Sequence, residues 1–158
     1  AYQLSLVGLS PEPAGAHLLA LSRYEGIWSH RPGVDTSKRR IVGFGSDTQT
    51  GFTRTPAGDL WVVGTPCWHA NPNTGVFEVL PTSVLTAMDM ELAFDVAWDA
   101  ADGTLVFAGY KGGRGLRVSR WNPVTRVATP MWAESSTQYA ITAQVKAAPQ
   151  SRAGATSA

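Results

Sequence analysis

The feature that most constrains this chain is an internal repeat. The turn Pro13-Ala14-Gly15 recurs as Pro56-Ala57-Gly58, and Ala101-Asp102-Gly103 occupies the corresponding place in a third unit. An apolar segment follows each turn at once, and the turn glycines are 43 and then 45 residues apart. A repeat of this kind predicts a chain of similar units that bury their apolar faces against one another.

Further landmarks recur inside the units. A tryptophan follows each apolar segment (Trp28, Trp68 and Trp121), and the turn Asn71-Pro72 recurs as Asn122-Pro123. The apolar runs are short, rich in Val, Ile, Leu and aromatic residues, and bounded by turn residues, which is typical of strands. We therefore expect four strands in each unit: before the glycine turn, after it, ending in the tryptophan, and after the Asn-Pro turn.

Four antiparallel strands repeating about every 40–45 residues are typical of the blades of a β-propeller. The stretch from Phe94-Asp95-Val96-Ala97-Trp98-Asp99 through Asp102-Gly103-Thr104-Leu105-Val106 to Arg120-Trp121-Asn122-Pro123 resembles a blade of the broad propeller superfamily with BNR-like and WD40-like repeats. The expected fold is all-β, with about three four-stranded antiparallel propeller-like blades plus a spare strand. A β-sandwich or barrel is the alternative, because evenly spaced short strands fit those folds equally well.

The expected blades lie near residues 2–45, 50–81 and 92–131, within a single all-β repeat domain at 1–146. Residues 147–158 are small and polar without an apolar anchor, so we expect a disordered tail. Closed propellers need about four to eight blades, and repeats are unstable when their end faces are bare. The spare strand near 138–145, with Tyr139, Ile141 and Val145 on one face, is therefore expected to pair with another copy of the chain or a larger host protein.

Composition narrows the classes of function. The formal net charge is +1, much lower than expected for a nucleic-acid binder that neutralises phosphates. No apolar run approaches the ~20 residues that a membrane-spanning helix needs. Only one cysteine is present, and the pattern Cys67-Trp68-His69 is interpreted as a buried thiol beside a hairpin histidine rather than as a nucleophilic pair.

No motif marks a catalytic set, a metal site or a cofactor site, so none is expected. The acidic residues Asp95, Asp99 and Asp102 are interpreted as turn formers rather than calcium ligands, because they lack the spacing of a calcium loop. We expect a non-catalytic structural or interaction module: an incomplete β-propeller in a larger symmetric assembly, such as a virion tail or a cell-surface complex, located in a virion or outside the cell.

The alternative function is carbohydrate binding, as a propeller lectin or as part of a glycosidase propeller. Six tryptophans favour it, because aromatic rings serve both sugar sites and interfaces. Tyr110 and Arg114 in the long glycine-rich hairpin, and Trp132 outside the tryptophan series, are the candidate contacts for a partner or a glycan.

Overall fold

The structure is a computed structural model, and it describes residues 6–11, 18–22, 26–31, 33–34, 39–42, 48–112 and 115–134. Its elements in chain order are twelve strands and one helix: β1 Leu6–Pro11, β2 Leu18–Ser22, β3 Gly26–His30, β4 Arg39–Val42, β5 Thr48–Arg54, β6 Leu60–Thr65, β7 Trp68–Asn71, β8 Val76–Val79, α1 Thr82–Ala87, β9 Leu92–Asp99, β10 Thr104–Lys111, β11 Gly115–Asn122 and β12 Val127–Ala133.

The strands form three sheets, each of four consecutive strands: β1-β2-β3-β4, β5-β6-β7-β8 and β9-β10-β11-β12. All neighbours pair antiparallel. The predicted all-β fold with three four-stranded units is therefore confirmed, and we call the sheets the first, second and third sheet in chain order.

The repeated glycine turns lie where the sequence predicts them. Gly58 connects β5 to β6 and Gly103 connects β9 to β10, with φ angles of 90° and 63° that favour glycine. Gly15 lies outside the described residues, although β1 and β2 on either side of it pair with each other. The predicted spare strand with Tyr139, Ile141 and Val145, and the predicted tail at 147–158, also lie outside the described residues.

The second sheet packs between the other two. Its first strand, β5, lies against both β1 and β9, so the first strands of the three sheets are neighbours. Because the second sheet is covered on both faces, the arrangement differs from a two-sheet sandwich and is that of successive propeller blades.

Two apolar clusters fill the spaces between the sheets. The cluster between the first and second sheets contains Leu19, Leu21, Ile27, Leu60, Val62 and Ala70, with Phe52 and Trp68 against it. The cluster between the second and third sheets contains Trp61, Val63, Cys67, Leu80, Met88, Met90, Ala93, Val96, Leu105, Phe107 and Trp121. Alternate residues of β6 thus enter different clusters, as the pleat of a strand requires.

The tryptophan series is only partly equivalent in structure. Trp68 pairs with Val62, and the matching position of the third sheet is Ser119, which pairs with Phe107. Trp121 lies two residues farther along its strand than that position, so the prediction of three equivalent tryptophans is wrong for Trp121.

All three rings nevertheless lie on the equivalent face of their respective sheets. Trp28 follows the core residue Ile27 on β3, and because successive residues of a strand point to opposite faces, it lies on the face away from the second sheet. Trp121 is buried, whereas Trp28 and Trp68 are half-buried. Each sheet therefore presents one tryptophan in the direction of the preceding unit.

The single described helix belongs to the link from the second sheet to the third. From the sequence alone, the stretch between Ser83 and Phe94 is the best candidate for a helix. In the structure, α1 covers only the first half of this stretch, and β9 already begins at Leu92. The helix ends at Ala87, and Asp89, two residues farther on, has a φ of 57° and a carboxylate that binds Lys111 and Arg117. A left-handed residue held in this way stops the helix and turns the chain into the third sheet.

Candidate functional site

A cleft of about 920 Å³ opens between the second and third sheets. It lies at the end of the sheets that carries the glycine turns and the Asn-Pro turns, and α1 forms one side. Its walls combine aromatic and aliphatic side chains with a few charged groups: Asp59, Trp61, His69, Glu78, Leu80, Val84, Trp98, Trp121, Pro123, Val124 and Arg126 are among them. A cleft of this size and mixed lining is typical of small-molecule sites.

A row of three paired residues crosses the second sheet at this cleft. Trp61 on β6 is the cross-strand partner of His69 on β7, and His69 is the partner of Glu78 on β8. The imidazole of His69 stacks on the indole of Trp61, with ring centroids 4.1 Å apart and an angle of 12° between the planes. Cross-strand pairing therefore fixes an aromatic ring, a base and a carboxylate in one line.

Two carboxylates hold the imidazole of His69. Its Nε2 lies 2.9 Å from Oδ1 of Asp59, and its Nδ1 lies 3.0 Å from Oε1 of Glu78. With ionised carboxylates, both contacts are hydrogen bonds only when both ring nitrogens carry a hydrogen, which makes the ring a cation. We call this group of three side chains the histidine clamp.

The turn between β5 and β6 places Asp59 in the clamp. The backbone N–H of Asp59 donates to Oγ1 of Thr55 at 3.2 Å, and the Thr55 hydroxyl donates to Oδ2 of Asp59 at 3.3 Å. The side-chain amide of Asn71 donates to Oδ1 of Asp59 at 3.0 Å. Local turn chemistry and a neighbouring strand thus orient this carboxylate.

The pKa of Asp59 reflects these contacts. Desolvation by burial raises it, but hydrogen bonds from His69, Asn71 and Thr55, together with the charge of His69, outweigh that effect and leave the pKa below its ordinary value. Asp59 is therefore held as a carboxylate.

Asn71 ties the two kinds of turn together. Its side-chain oxygen accepts from the backbone N–H groups of Asn73 and Thr74 at 3.0 and 3.3 Å, while its side-chain amide reaches Asp59. Asn122 accepts from Val124 and Thr125 in the same way, at 2.9 and 3.0 Å. The repeated Asn-Pro turns of the sequence are therefore equivalent in structure.

The thiol of Cys67 takes no part in the clamp. It is buried, it donates to the carbonyl of Gly64 at 3.6 Å, and burial raises its pKa. The neighbouring imidazole of His69 is engaged by carboxylates on both nitrogens. The arrangement gives a structural thiol rather than a thiolate nucleophile.

The acidic residues of the third sheet pair with an arginine. Asp99 accepts from the guanidinium of Arg120 at 2.9 Å and from the backbone N–H of Ala101, while Asp102 binds Arg120 from the same turn. The contact of Asp99 with the backbone of Ala101 supports the interpretation of these acidic residues as turn formers. Within the described ranges, no group of three His, Cys, Asp or Glu side chains comes together as metal ligands.

Two of the three predicted contact residues share a face, but that face is not in the cleft. Trp132 pairs with Val118, and Tyr110 pairs with Leu116, which is two residues from Val118 on β11. All four therefore lie on the face of the third sheet that points away from the second, where the Trp132 side chain is 51% exposed. Arg114 lies outside the described residues.

Sequence reasoning missed Asp59, Trp61 and Glu78. The available signal was the register of the hairpin around Thr65-Pro66, which puts Trp61, His69 and Glu78 side by side. The short distances between these strands in the sequence carry that information, but the register has to be known to within one residue.

Comparison with known proteins adds no identity. The chain matches no protein-family model and no curated protein sequence. No helix among the described residues is long and apolar enough to cross a membrane.

Proposed function

We propose that the chain is a non-catalytic structural and interaction module whose three sheets form part of a ring completed by a second copy. The observation that carries this proposal is the face of the third sheet that points away from the second. We call it the open face; it carries Val106, Ala108, Tyr110, Leu116, Val118, Arg120 and Trp132. Apart from Arg120, which binds Asp99 and Asp102, these residues are mostly apolar; Ala108 is already buried, whereas Trp132 leaves half of its side chain exposed.

The repeat itself indicates what the open face fits. Because Gly58 corresponds to Gly103, Trp61 and Val63 of the second sheet correspond to Val106 and Ala108 of the third. In the second sheet these positions are buried against the next sheet. The open face thus uses the positions that elsewhere in the chain form an interface between sheets.

The complementary surface lies at the other end of the array. The face bearing Trp68 packs on the first sheet, and the face bearing Trp121 packs on the second. On the first sheet the face of this kind bears Trp28, with the Arg40 guanidinium 6.0 Å from the ring centre, and no other sheet of the described residues packs on it. We expect the Trp28 face of one copy to pack on the open face of another.

Such head-to-tail packing closes after two copies. Two sets of three sheets give a six-bladed ring, which lies within the usual range of four to eight blades. The two-fold axis of such a ring makes its two new interfaces identical, and each of them joins unlike faces of the two copies. An assembly of this kind suits a building block of a virion tail or a surface complex.

A non-catalytic role is supported by His69 and Asp59, two of the three side chains of the histidine clamp; the third, Glu78, keeps one free carboxylate oxygen. Both nitrogens of His69 and both oxygens of Asp59 are engaged within the clamp and its turn. A general base or nucleophile needs a free atom directed at a substrate. The carbohydrate-binding alternative is favoured by a different part of the chain, the cleft, and not by the open face.

Substitution of Trp132 tests the proposal. Trp132→Glu places a charge in the proposed interface, so light scattering after size exclusion should give a monomer for this variant and a dimer for the unaltered chain. Val124→Glu changes an 88% exposed residue of a turn and should remain dimeric. A monomeric unaltered chain contradicts the proposal, and so does a Trp132→Glu variant that stays dimeric.

A further inference from the structure

The charges on the wall of the cleft cancel. Asp59 and Glu78 supply two negative charges; the guanidinium of Arg126 supplies one positive charge, and the ring of His69 supplies the second when both of its nitrogens carry the hydrogens that its two carboxylate contacts require. A ligand with a net charge would meet a group of its own sign whichever way it entered. The electrostatics of the cleft therefore favour a neutral ligand.

Hydrogen-bonding capacity remains at the mouth of the cleft. Glu78 uses only Oε1 in the clamp, and its side chain is 60% exposed. Within the part of the chain that the structure describes, neither Oε2 of Glu78 nor the guanidinium of Arg126 contacts a partner. Glu78 stands on the second sheet and Arg126 on the third, so a strong acceptor and a strong donor lie on opposite walls.

Another part of the wall is aromatic, since Trp61, Trp98 and Trp121 all line the cleft. Aromatic rings offer flat apolar surface against which the C–H faces of a ligand can pack. A ligand that combines apolar faces with many hydroxyl groups therefore fits both this wall and the polar mouth of the cleft.

We propose that this cleft binds a neutral sugar, with Glu78 accepting hydrogen bonds from its hydroxyl groups and Arg126 donating to them. A sugar ring combines the required properties: it is uncharged, its hydroxyl groups both donate and accept, and its C–H faces pack against aromatic side chains. The proposal is independent of the second copy, since none of the open-face residues lines the cleft.

Ligand-observed saturation-transfer NMR with glucose, galactose, N-acetylglucosamine and their disaccharides tests the inference. Tryptophan fluorescence then measures Kd for any sugar that binds. Glucuronate and glucosamine serve as charged comparators of similar size. We expect at least one neutral sugar to bind, and to bind more tightly than both charged comparators.

Matched variants locate the site. Glu78→Ala removes a charged acceptor, and Arg126→Asn removes the donor while keeping a residue that tolerates the φ of 59° at this position. Each should weaken binding about tenfold or more, because a hydrogen bond to a charged group is lost. Glu91→Gln alters an exposed carboxylate outside the cleft and should leave Kd unchanged.

Three results would overturn the inference. The first is no saturation transfer from any neutral sugar to the folded chain. The second is tighter binding of glucuronate or glucosamine than of the neutral sugars. The third is a Kd that Glu78→Ala and Arg126→Asn leave unchanged. None of these results bears on whether the chain dimerises, so failure of the sugar site and failure of the assembly are distinguishable.

Discussion

At the scale of single residues, His69 is the point where contacts from two strands and a turn meet. It stacks on Trp61 and contacts the carboxylates of Asp59 and Glu78. Arg120 holds the matching place in the third sheet, since it pairs with Val106 as His69 pairs with Trp61. It too binds two carboxylates, those of Asp99 and Asp102. A basic residue between two acids is thus a recurring device at this position of the repeat.

The lowered pKa of Asp59 predicts a pH dependence of stability. A carboxyl whose pKa is lower when folded stabilises the fold above its unfolded pKa, and this contribution is lost as the pH falls through the folded value. The relevant window lies below the ordinary value of 3.8. Asp59→Asn should therefore lose less free energy of unfolding than the unaltered chain between about pH 6 and about pH 3.

Urea unfolding at the two pH values measures this difference. Glu91→Gln, with an exposed carboxylate outside the clamp, should retain the pH dependence of the unaltered chain. An Asp59→Asn variant with the same loss as the unaltered chain would show that the clamp does not stabilise the ionised Asp59.

Substitutions of Trp121 and Trp132, both in the third sheet, are expected to differ sharply in how much free energy of unfolding they cost. Trp121→Ala removes a ring that is 6% exposed in the cluster between the second and third sheets, so it should cost about 3–5 kcal/mol. Trp132→Ala removes a half-exposed ring and should cost about 1 kcal/mol or less in the monomer. Equal losses in denaturant unfolding would contradict the assignment of the two faces.

At the scale of elements, the sequence predicts strands and glycine turns well because both depend on local chemistry. Gly58 and Gly103 have the positive φ that their turns require, and the apolar runs after them are β6 and β10. The position of Trp121 was predicted less well. The hairpin before it is longer than the one before Trp68, and hairpin length sets the register of the following strand.

The cleft could not be predicted for a related reason. It is built by residues that are far apart in the sequence, such as Trp61 and Trp121, and that meet only when two sheets pack. A repeat shows that sheets pack against one another, but not which side chains line the gap between them. The residues of the histidine clamp share one sheet, yet their alignment depends on the registers of two hairpins.

The contact between the first strands of neighbouring sheets supplies a prediction of its own. A Cβ added to Gly51 of β5 would lie 2.7 Å from Oδ1 of Asp95 and 3.0 Å from the carbonyl oxygen of Phe94 on β9. Gly51→Ala should therefore push the second and third sheets apart and cost about 1–3 kcal/mol.

Gly75→Asn is the matched control for Gly51→Ala. Gly75 has a φ of 79°, which asparagine tolerates, and an added Cβ would meet nothing within 4 Å. Thermal unfolding of both variants should show a clear loss only for Gly51→Ala. A Gly51→Ala variant as stable as the unaltered chain would show that the sheets are not in close contact at β5 and β9.

At the scale of the whole molecule, the three sheets follow one plan. Each internal interface joins a tryptophan-bearing face to the opposite face of the preceding sheet. Within the described part of the chain, one face of each kind has no sheet packed on it: the Trp28 face of the first sheet and the open face of the third. The repeat thus makes the two ends of the array complementary to each other, which is the basis of the proposed ring.

The native mass of the unaltered chain tests this account most directly. Sedimentation equilibrium at micromolar concentration should give twice the chain mass of 16.8 kDa, with no larger species as the concentration rises, because a ring of two copies leaves no face unpaired. A stable monomer would contradict the account. So would a mass that grows steadily with concentration, since that result indicates open-ended stacking instead of a closed ring.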